Sequence, residues 1–314
     1  MTIFRSPTSA SGELSTQERT ELTQLLARWE TYSHQTSAID PSKIVPAINA
    51  LYRQADLREP RVVIVPSPGV LAFAGGFASE IWTRRATQPT FGMSDTNLAV
   101  LATNLNNPLQ LATLAAVQAA TMLEDSVGNP KGTDVTELTR QASYDEADLA
   151  TVNALDVSTW RELRDSMMSE AMTEVGEAIR HAMRDRFGNP TMTSLMLHAR
   201  DDWALGLALS LFGDEKSAHA ALDGARDWWQ CSQSGNTSLY DEGCIAAARD
   251  VIQLRLSEHK KLAAWEQCAI SGGYRYMHSE FCLVSDFPEM IALGHQRNHG
   301  DIAPMLRWRD GWTV

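Results

Sequence analysis

"EPRVVIVPSPG", residues 59–69, sets Val62, Val63, Ile64 and Val65 in one unbroken β-branched run fenced by Pro60, Pro66 and Pro68. Branched side chains favour a pleated backbone and proline cannot donate to a ladder, so the run reads as a short buried strand ending in a turn. It is the one convincing strand in the first half of the chain. Upstream, "SGELSTQERTELTQLLARWETYS" carries Ser15 and Glu18 in capping-box spacing, then Leu22, Leu25, Leu26, Trp29 and Tyr32 at helical intervals. A second helix opens at Asp40 and Pro41, or at Ser42 with Pro46 in its first turn, and leads into Ile48, Leu51 and Tyr52.

Downstream of the strand the pattern returns to helix. "VLAFAGGFASEIWTRR" is helical, and residues 97–125, rich in Ala and Leu, read as two packed helices broken at Asn106, Asn107 and Pro108. Residues 126–157 hold Gly, Pro, Asp and Thr without clear periodicity and read as a connection. Thr159 and Glu162 then open a stripe of Leu163, Met167, Met172, Val175, Ile179, Met183 and Phe187, closed by Gly188 and Pro190. That spacing predicts one amphipathic helix of about eight turns. Three or four more helices are expected over 193–271, ending near Gly213, at 234–236, near Leu256, and at Gly272 and Gly273.

After Gly273 the texture changes. "RYMHSEFCLVSD", "EMIALGHQRNHG" and "APMLRWRDGWTV" are short, turn-separated and partly alternating, as in β-hairpins. The expected architecture is α+β and predominantly α-helical: a helical body carrying a small β-sheet made of the N-terminal strand and C-terminal hairpins. The parts are a flexible arm at 1–12, a helical part with one strand at 13–125, the connection at 126–157, a helical part at 158–271 and a small β-rich part at 272–314. At 314 residues the chain exceeds the usual single-core size, so one compact domain over 13–314, with an appendage, and two closely packed domains both fit.

Charge and cysteine usage narrow the function classes. Across 314 residues the formal net charge is -12, a field that repels a phosphate backbone, so nucleic acid is an unfavoured partner. Cys231, Cys244, Cys268 and Cys282 are spaced by 13, 24 and 14, with no CxxC pair, which fits reduced thiols in a cytoplasmic protein. The N-terminus lacks a basic start before an apolar stretch, and no run of 18 apolar residues appears, so neither export nor a membrane is expected. "FAGGF" lacks the strand and glycine spacing of a dinucleotide fingerprint, and "VGNPKGT" lacks the Walker lysine followed by Ser or Thr.

The residues with chemistry gather near the C-terminus. His278, Cys282 and Asp286 fall four apart, and on either a helix or a strand that spacing puts them on one side. As a catalytic set, a thiolate at Cys282 would attack with His278 or His295 as its base, although the apolar run Phe281–Val284 would raise the thiol pKa. As a metal set, His278, Cys282, His295, His299 and Asp301 offer the N, S and O donors that zinc accepts. The plainer alternative is a buried cysteine, a histidine bonded to backbone and a capping aspartate; no cofactor is called for. "RWRDGW" places Arg307 and Arg309 on one face and Trp308 on the other before an Asp310–Gly311 turn. That face would hold a carboxylate or phosphate, or be a terminal hairpin with Trp308 in the core and its arginines in solvent. Trp228, Trp229 and Tyr240 around "SGNTSLY" would line a pocket or pack the core.

"GNTSLYDEG", "KLAAWEQCAISGGYRYMHSEFCLVSDFPEMI" and "HQRNHGDIAPMLRWRDGW" together resemble an uncharacterised family, a domain of unknown function found in bacterial and phage proteins. Its C-terminal block runs "MHxxFCxVSDxP", "RxHxxxGP" and "WRDGW". "AINALYRQADLREPRVVIVPSP" is similar to its opening block, so the resemblance covers about residues 47–85 and 190–314. Matched positions include Tyr52, Ser67, Pro68, Trp265, Gly272, Gly273, His278, Phe281, Cys282, Ser285, Asp286, Pro288, His299, Pro304, Trp308, Asp310, Gly311 and Trp312. The chain departs from the pattern in having Ala303 before Pro304 and in ending at Val314, where the family continues into a "WHG" segment. The resemblance carries architecture rather than an activity. The expected function is a non-enzymatic binding or interaction protein whose partner, a protein or a small molecule, meets a cleft beside His278, Asp286 and Arg307. The alternative is a hydrolase or transferase using His278 with Cys282 or Asp286, with or without a metal.

Overall fold

Val62 to Val65 do form a strand, and its pairing partner sets the architecture. The computed structural model describes residues 14–87, 108–120, 135–187, 208–209, 212–231, 239–292 and 305–314. Helix α1 (Thr16–Ser33) and α2 (Pro41–Gln54) precede β1 (Arg61–Val65), followed by α3 (Pro68–Thr87) and α4 (Pro108–Ala120). Next come α5 (Thr136–Arg140), α6 (Glu146–Ala154), α7 (Val157–Met167), α8 (Glu170–Phe187), α9 (Glu215–Cys231), α10 (Leu239–Asp250) and α11 (His259–Ser271). Four short strands close the chain: β2 (Arg275–Met277), β3 (Phe281–Ser285), β4 (Met290–Ala292) and β5 (Met305–Arg307). The fold is α+β and mainly helical, as the sequence pattern indicates.

β1 runs parallel to β3, from Arg61 opposite Phe281 to Val65 opposite Ser285, and β2 pairs antiparallel with β3, giving the order β1-β3-β2. β4 and β5 form a separate two-stranded sheet, so among the described residues the expected single sheet is two. The central strand is covered on both faces, as parallel pairing requires. Phe281 and Leu283 point into a cluster with Val70, Phe77 and Ile81 of α3, Ala112 and Ala116 of α4, and Ala221 of α9. Cys282 and Val284 point the other way, into Ile44, Ile48, Leu51 and Tyr52 of α2 and Leu262, Trp265 and Cys268 of α11. A third cluster joins Leu22, Leu25 and Trp29 of α1 to Leu163 and Met167 of α7 and Leu239 of α10. Ile44, Ile48 and Leu51 are fully buried, each contributing ~2 kcal/mol of transfer free energy.

The local signals act where expected at the first two helices. Ser15 accepts from the Glu18 amide and Glu18 accepts from the Ser15 amide, a complete capping box. Asp40 caps α2 by accepting from the Ser42 amide, with Pro41 at the first helical position. Two expectations need correction. Residues 136–154 are helical rather than a connection, with a π-helical turn at Gln141–Asp145 joining α5 to α6. Their buried stripe is Thr139, Ser143, Ala147 and Thr151, one residue in four but small and mostly polar. The hydroxyls of Thr139, Ser143 and Thr151 donate to the carbonyls of Val135, Thr139 and Ala147, which lets them enter a core at all.

The second correction is to the long helix over 158–187. It is two helices, α7 capped by Asp156, whose carboxylate accepts from the Thr159 amide and hydroxyl, and α8 starting beyond a break at Met168. Ser169 re-caps the chain by accepting from the Met172 amide while its hydroxyl donates to Glu30 of α1. The arm at 1–12, the first of the two helices expected over 97–125, and Trp228 and Trp229 as side chains lie outside the described residues.

Candidate functional site

Parallel pairing sets the carboxyl ends of β1 and β3 side by side, and the residues that leave those ends organise the site. Asp286 follows β3, its amide donating to the Val65 carbonyl at 2.7 Å, so it sits beside the end of β1. Its Oδ1 accepts from the amides of Ile39 at 2.8 Å and Phe287 at 2.9 Å, and its Oδ2 accepts from Arg309 Nη1 at 2.8 Å. Arg309 Nη2 in turn donates to the Thr36 carbonyl at 2.8 Å. One carboxylate and one guanidinium thus tie the α1–α2 connector to the last turn of the chain. The Trp308 indole N–H donates to the Asp286 carbonyl at 3.0 Å and completes the brace.

Ser67 leaves the end of β1 and caps α3, accepting from the Val70 amide at 3.2 Å while its hydroxyl donates to Asp310 Oδ2 at 2.6 Å. Asp310 Oδ1 accepts from the Trp312 amide, and Gly311 at φ +82° closes the turn in a conformation only glycine enters without strain. Arg307 pairs with Glu289 at 2.7 Å. Of the residues expected to bind a ligand, Trp308 is in the core, Asp310 holds Ser67, and Arg307 and Arg309 are exposed but ion-paired.

Beside the brace lies an open cleft of about 610 Å³ walled by Tyr32, Gln35, Ile39, Lys43, Gln267 and Phe287. Its rim is positioned rather than loose. Gln35 donates to the carbonyls of Tyr32 and Ile270, bridging the end of α1 to α11, and Ile39 is held by Asp286. His34, next to Gln35, faces Glu174 of α8 at 2.9 Å. Lys43 stands 3.9 Å from Asp40 with its ammonium mostly in solvent. The cleft therefore offers a mixed surface of aromatic and amide groups with Lys43 and Asp40 as opposite charges on a hydrogen-bonded frame, the chemistry of a recognition pocket. This connector was not singled out in the sequence; the Asp40–Pro41 cap marks its end, but only the fold brings it to Phe287.

His278 and Cys282 do not share a face. A turn at Ser279 and Glu280 separates them, with the His278 amide donating to the Phe281 carbonyl at 2.9 Å, and it resets the alternation that equal spacing implies. The His278 ring stacks on Phe281 at 4.2 Å and meets Trp82 of α3 edge-on, whereas Cys282 lies in the core shared with α2 and α11. Burial alone holds His278 down to about 4, so its ring is neutral at pH 7. Its Nδ1 accepts from the Glu280 amide at 3.3 Å, which leaves the proton on Nε2. Burial raises the Cys282 thiol far above its usual value, against a smaller opposing pull from Arg275, so the thiolate that would attack is suppressed. His278, Cys282 and Asp286 point to three different places.

Among the described residues, no group of three or more His, Cys, Asp or Glu side chains is arranged to hold a metal ion. His295, His299 and Asp301, the remaining members of the expected zinc set, lie outside the described residues. Against protein-family models, curated proteins and solved structures, the chain matches none. Among the described residues, no helix is long and apolar enough to cross a membrane.

Proposed function

We propose that this chain is a non-enzymatic binding protein that receives a small molecule or a partner's side chains in the cleft between the α1–α2 connector and α11. The observation that carries this reading is the braced rim. Asp286 and Arg309 fix Thr36 and Ile39, so one wall of the cleft is held in place by bonds of the fold itself. Preorganised walls reduce the ordering cost of binding, which is what a recognition surface needs. The hydrolase or transferase alternative gains nothing from the geometry, because its three groups diverge and two of them are held in neutral form by burial. A kinship with the bacterial and phage family would rest on "MHSEFCLVSD" and "WRDGW"; of their residues, Asp286 and Trp308 belong to the brace and Asp310 holds Ser67.

The test is a thermal-shift screen of metabolites and short peptides against the wild type and Ser37→Trp. Ser37 is an exposed wall residue, so an indole there fills the cleft without entering the core. Ligands that raise the wild-type melting temperature but leave Ser37→Trp unmoved support the reading. Hits that stabilise both proteins equally overturn the cleft as the binding site.

A further inference from the structure

β1 lies at the edge of its sheet, and its backbone is bonded on one side only. The Arg61 amide donates to the Glu280 carbonyl at 3.0 Å and the Val65 carbonyl accepts from the Asp286 amide at 2.7 Å, so Arg61, Val63 and Val65 bond toward β3. The amides and carbonyls of Val62 and Ile64 therefore point away from the sheet, and among the described residues no group bonds to them. Exposure agrees. β3 is buried along its whole length between the helical layers, whereas Arg61 to Ile64 are half-buried between the same layers. Side chains on both faces of β1 keep some access to solvent, so the opening is at the edge rather than over one face. From Val62 to Ile64 there is no charge, proline or bulge of the kind that stops edge strands from pairing, and Pro60 and Pro66 only limit the length. Helix α4 widens the apolar surface. Arg61 Nη1 donates to the Gln118 carbonyl at 2.9 Å, and Leu114 and Leu111, one and two turns earlier on that side of the helix, are half-buried.

We infer that this edge pairs with the same edge of a second copy of the chain, two antiparallel β1 strands joining the two three-stranded sheets into one. The strand is its own complement. With Val63 on a two-fold axis, Val62 stands opposite Ile64 of the second copy and Ile64 opposite its Val62, and each such pair exchanges an N–H···O bond in both directions. Every outward group of Val62 and Ile64 is then used. Arg61 meets Val65 of the second copy, so no like charges are opposed along the ladder. The ladder is short and each copy carries a net charge of -12, so the dimer is weak, forms with concentration and tightens with added salt. None of the cleft residues takes part, and the contact stands or falls apart from the cleft.

The test is sedimentation equilibrium of the full chain over a concentration series, with hydrogen exchange of the Val62 and Ile64 amides measured at both ends of it. The expected result is a monomer–dimer equilibrium in which those two amides slow as the dimer fills. Val63→Lys should abolish the dimer, because two ammonium groups would meet on the axis while the side-chain stem keeps the half-buried packing. Val63→Cys should give a disulfide-linked dimer under mild oxidation, since facing residues of a non-hydrogen-bonded pair bring their Cβ atoms within bridging distance; the wild type and Ile64→Cys should not. A monomer at every concentration overturns the proposal. So does a dimer that survives in Val63→Lys, or one in which the two amides exchange as fast as in the monomer, because the contact then lies elsewhere. Where Val63→Lys does not fold, exchange and cross-linking decide, and cross-linking of Ile64→Cys in place of Val63→Cys sinks the pairing.

Discussion

Replacing Asp286 by alanine removes every bond that the brace makes through its carboxylate. The Ile39 amide, in a buried residue, loses a charged acceptor at 2.8 Å, a loss of about 1.5–3 kcal/mol. The Phe287 amide loses its acceptor at 2.9 Å, for about 1 kcal/mol. Arg309 is 37% exposed and its pair is screened accordingly, so it adds only ~0.5–1 kcal/mol. The expected total is about 4 kcal/mol, against about 1–2 kcal/mol for Asp286→Asn, which keeps Oδ1 as an acceptor but loses the charge and the bond accepted from Arg309. Urea unfolding followed by tryptophan fluorescence is the assay, because Trp308 is bonded to the Asp286 carbonyl and reports on the same corner. Adding Arg309→Met to Asp286→Ala should cost only its bonds to the Thr36 and Phe287 carbonyls, since the ion pair is already gone. A loss below 1 kcal/mol in Asp286→Ala, or equal losses in the alanine and asparagine variants, would refute the view that this carboxylate is a brace.

The remaining predictions concern the core. His278 titrates near 6.5 when unfolded and about 4 when folded, so its contribution is complete above pH 6.5 and is lost as pH falls toward 4. The loss amounts to about 3 kcal/mol, and His278→Phe should flatten that part of the stability profile measured by denaturant titration. Gly75→Ala places a methyl 2.3 Å from the Tyr276 ring, and the resulting shift in a packed helix–strand contact should lower stability by ~1–3 kcal/mol, read from the unfolding midpoint. Cys244, Cys268 and Cys282 are buried with raised thiol pKa values. Iodoacetamide at pH 8 should leave their peptides unmodified in the native protein and label them after unfolding, and native labelling of Cys282 would contradict its placement.

Legibility from the sequence followed the chemistry of each segment. Val62 to Val65 between prolines and the Ser15–Glu18 box are signals that act within a few residues, and both survive into the fold. The helix over 136–154 was hidden because its buried stripe is Thr, Ser, Ala and Thr, residues whose polarity reads as loop until their hydroxyls are seen turned back onto the helix. The break between α7 and α8 left no glycine or proline to announce it; Ser169 re-caps the chain using a partner on α1, which periodicity does not reveal. At the site, the Asp310–Gly311 turn and the buried Trp308 were readable. The opposite facing of His278 and Cys282 was not, because two turn residues between strands change which side every later residue takes.

The parallel ladder joins positions 61 and 281, 220 residues apart in the chain. On a ribosome, β1 emerges long before anything can hydrogen-bond to it. Until β3 follows, Val62 to Val65 form an apolar stretch with unsatisfied edges, a segment prone to pair with other chains. The order of synthesis therefore makes early folding depend on the helices, α2 and α3 shielding β1 from either side until β3, more than 200 residues later, closes the sheet. A fragment ending before Phe281 should be helical by circular dichroism yet poorly soluble.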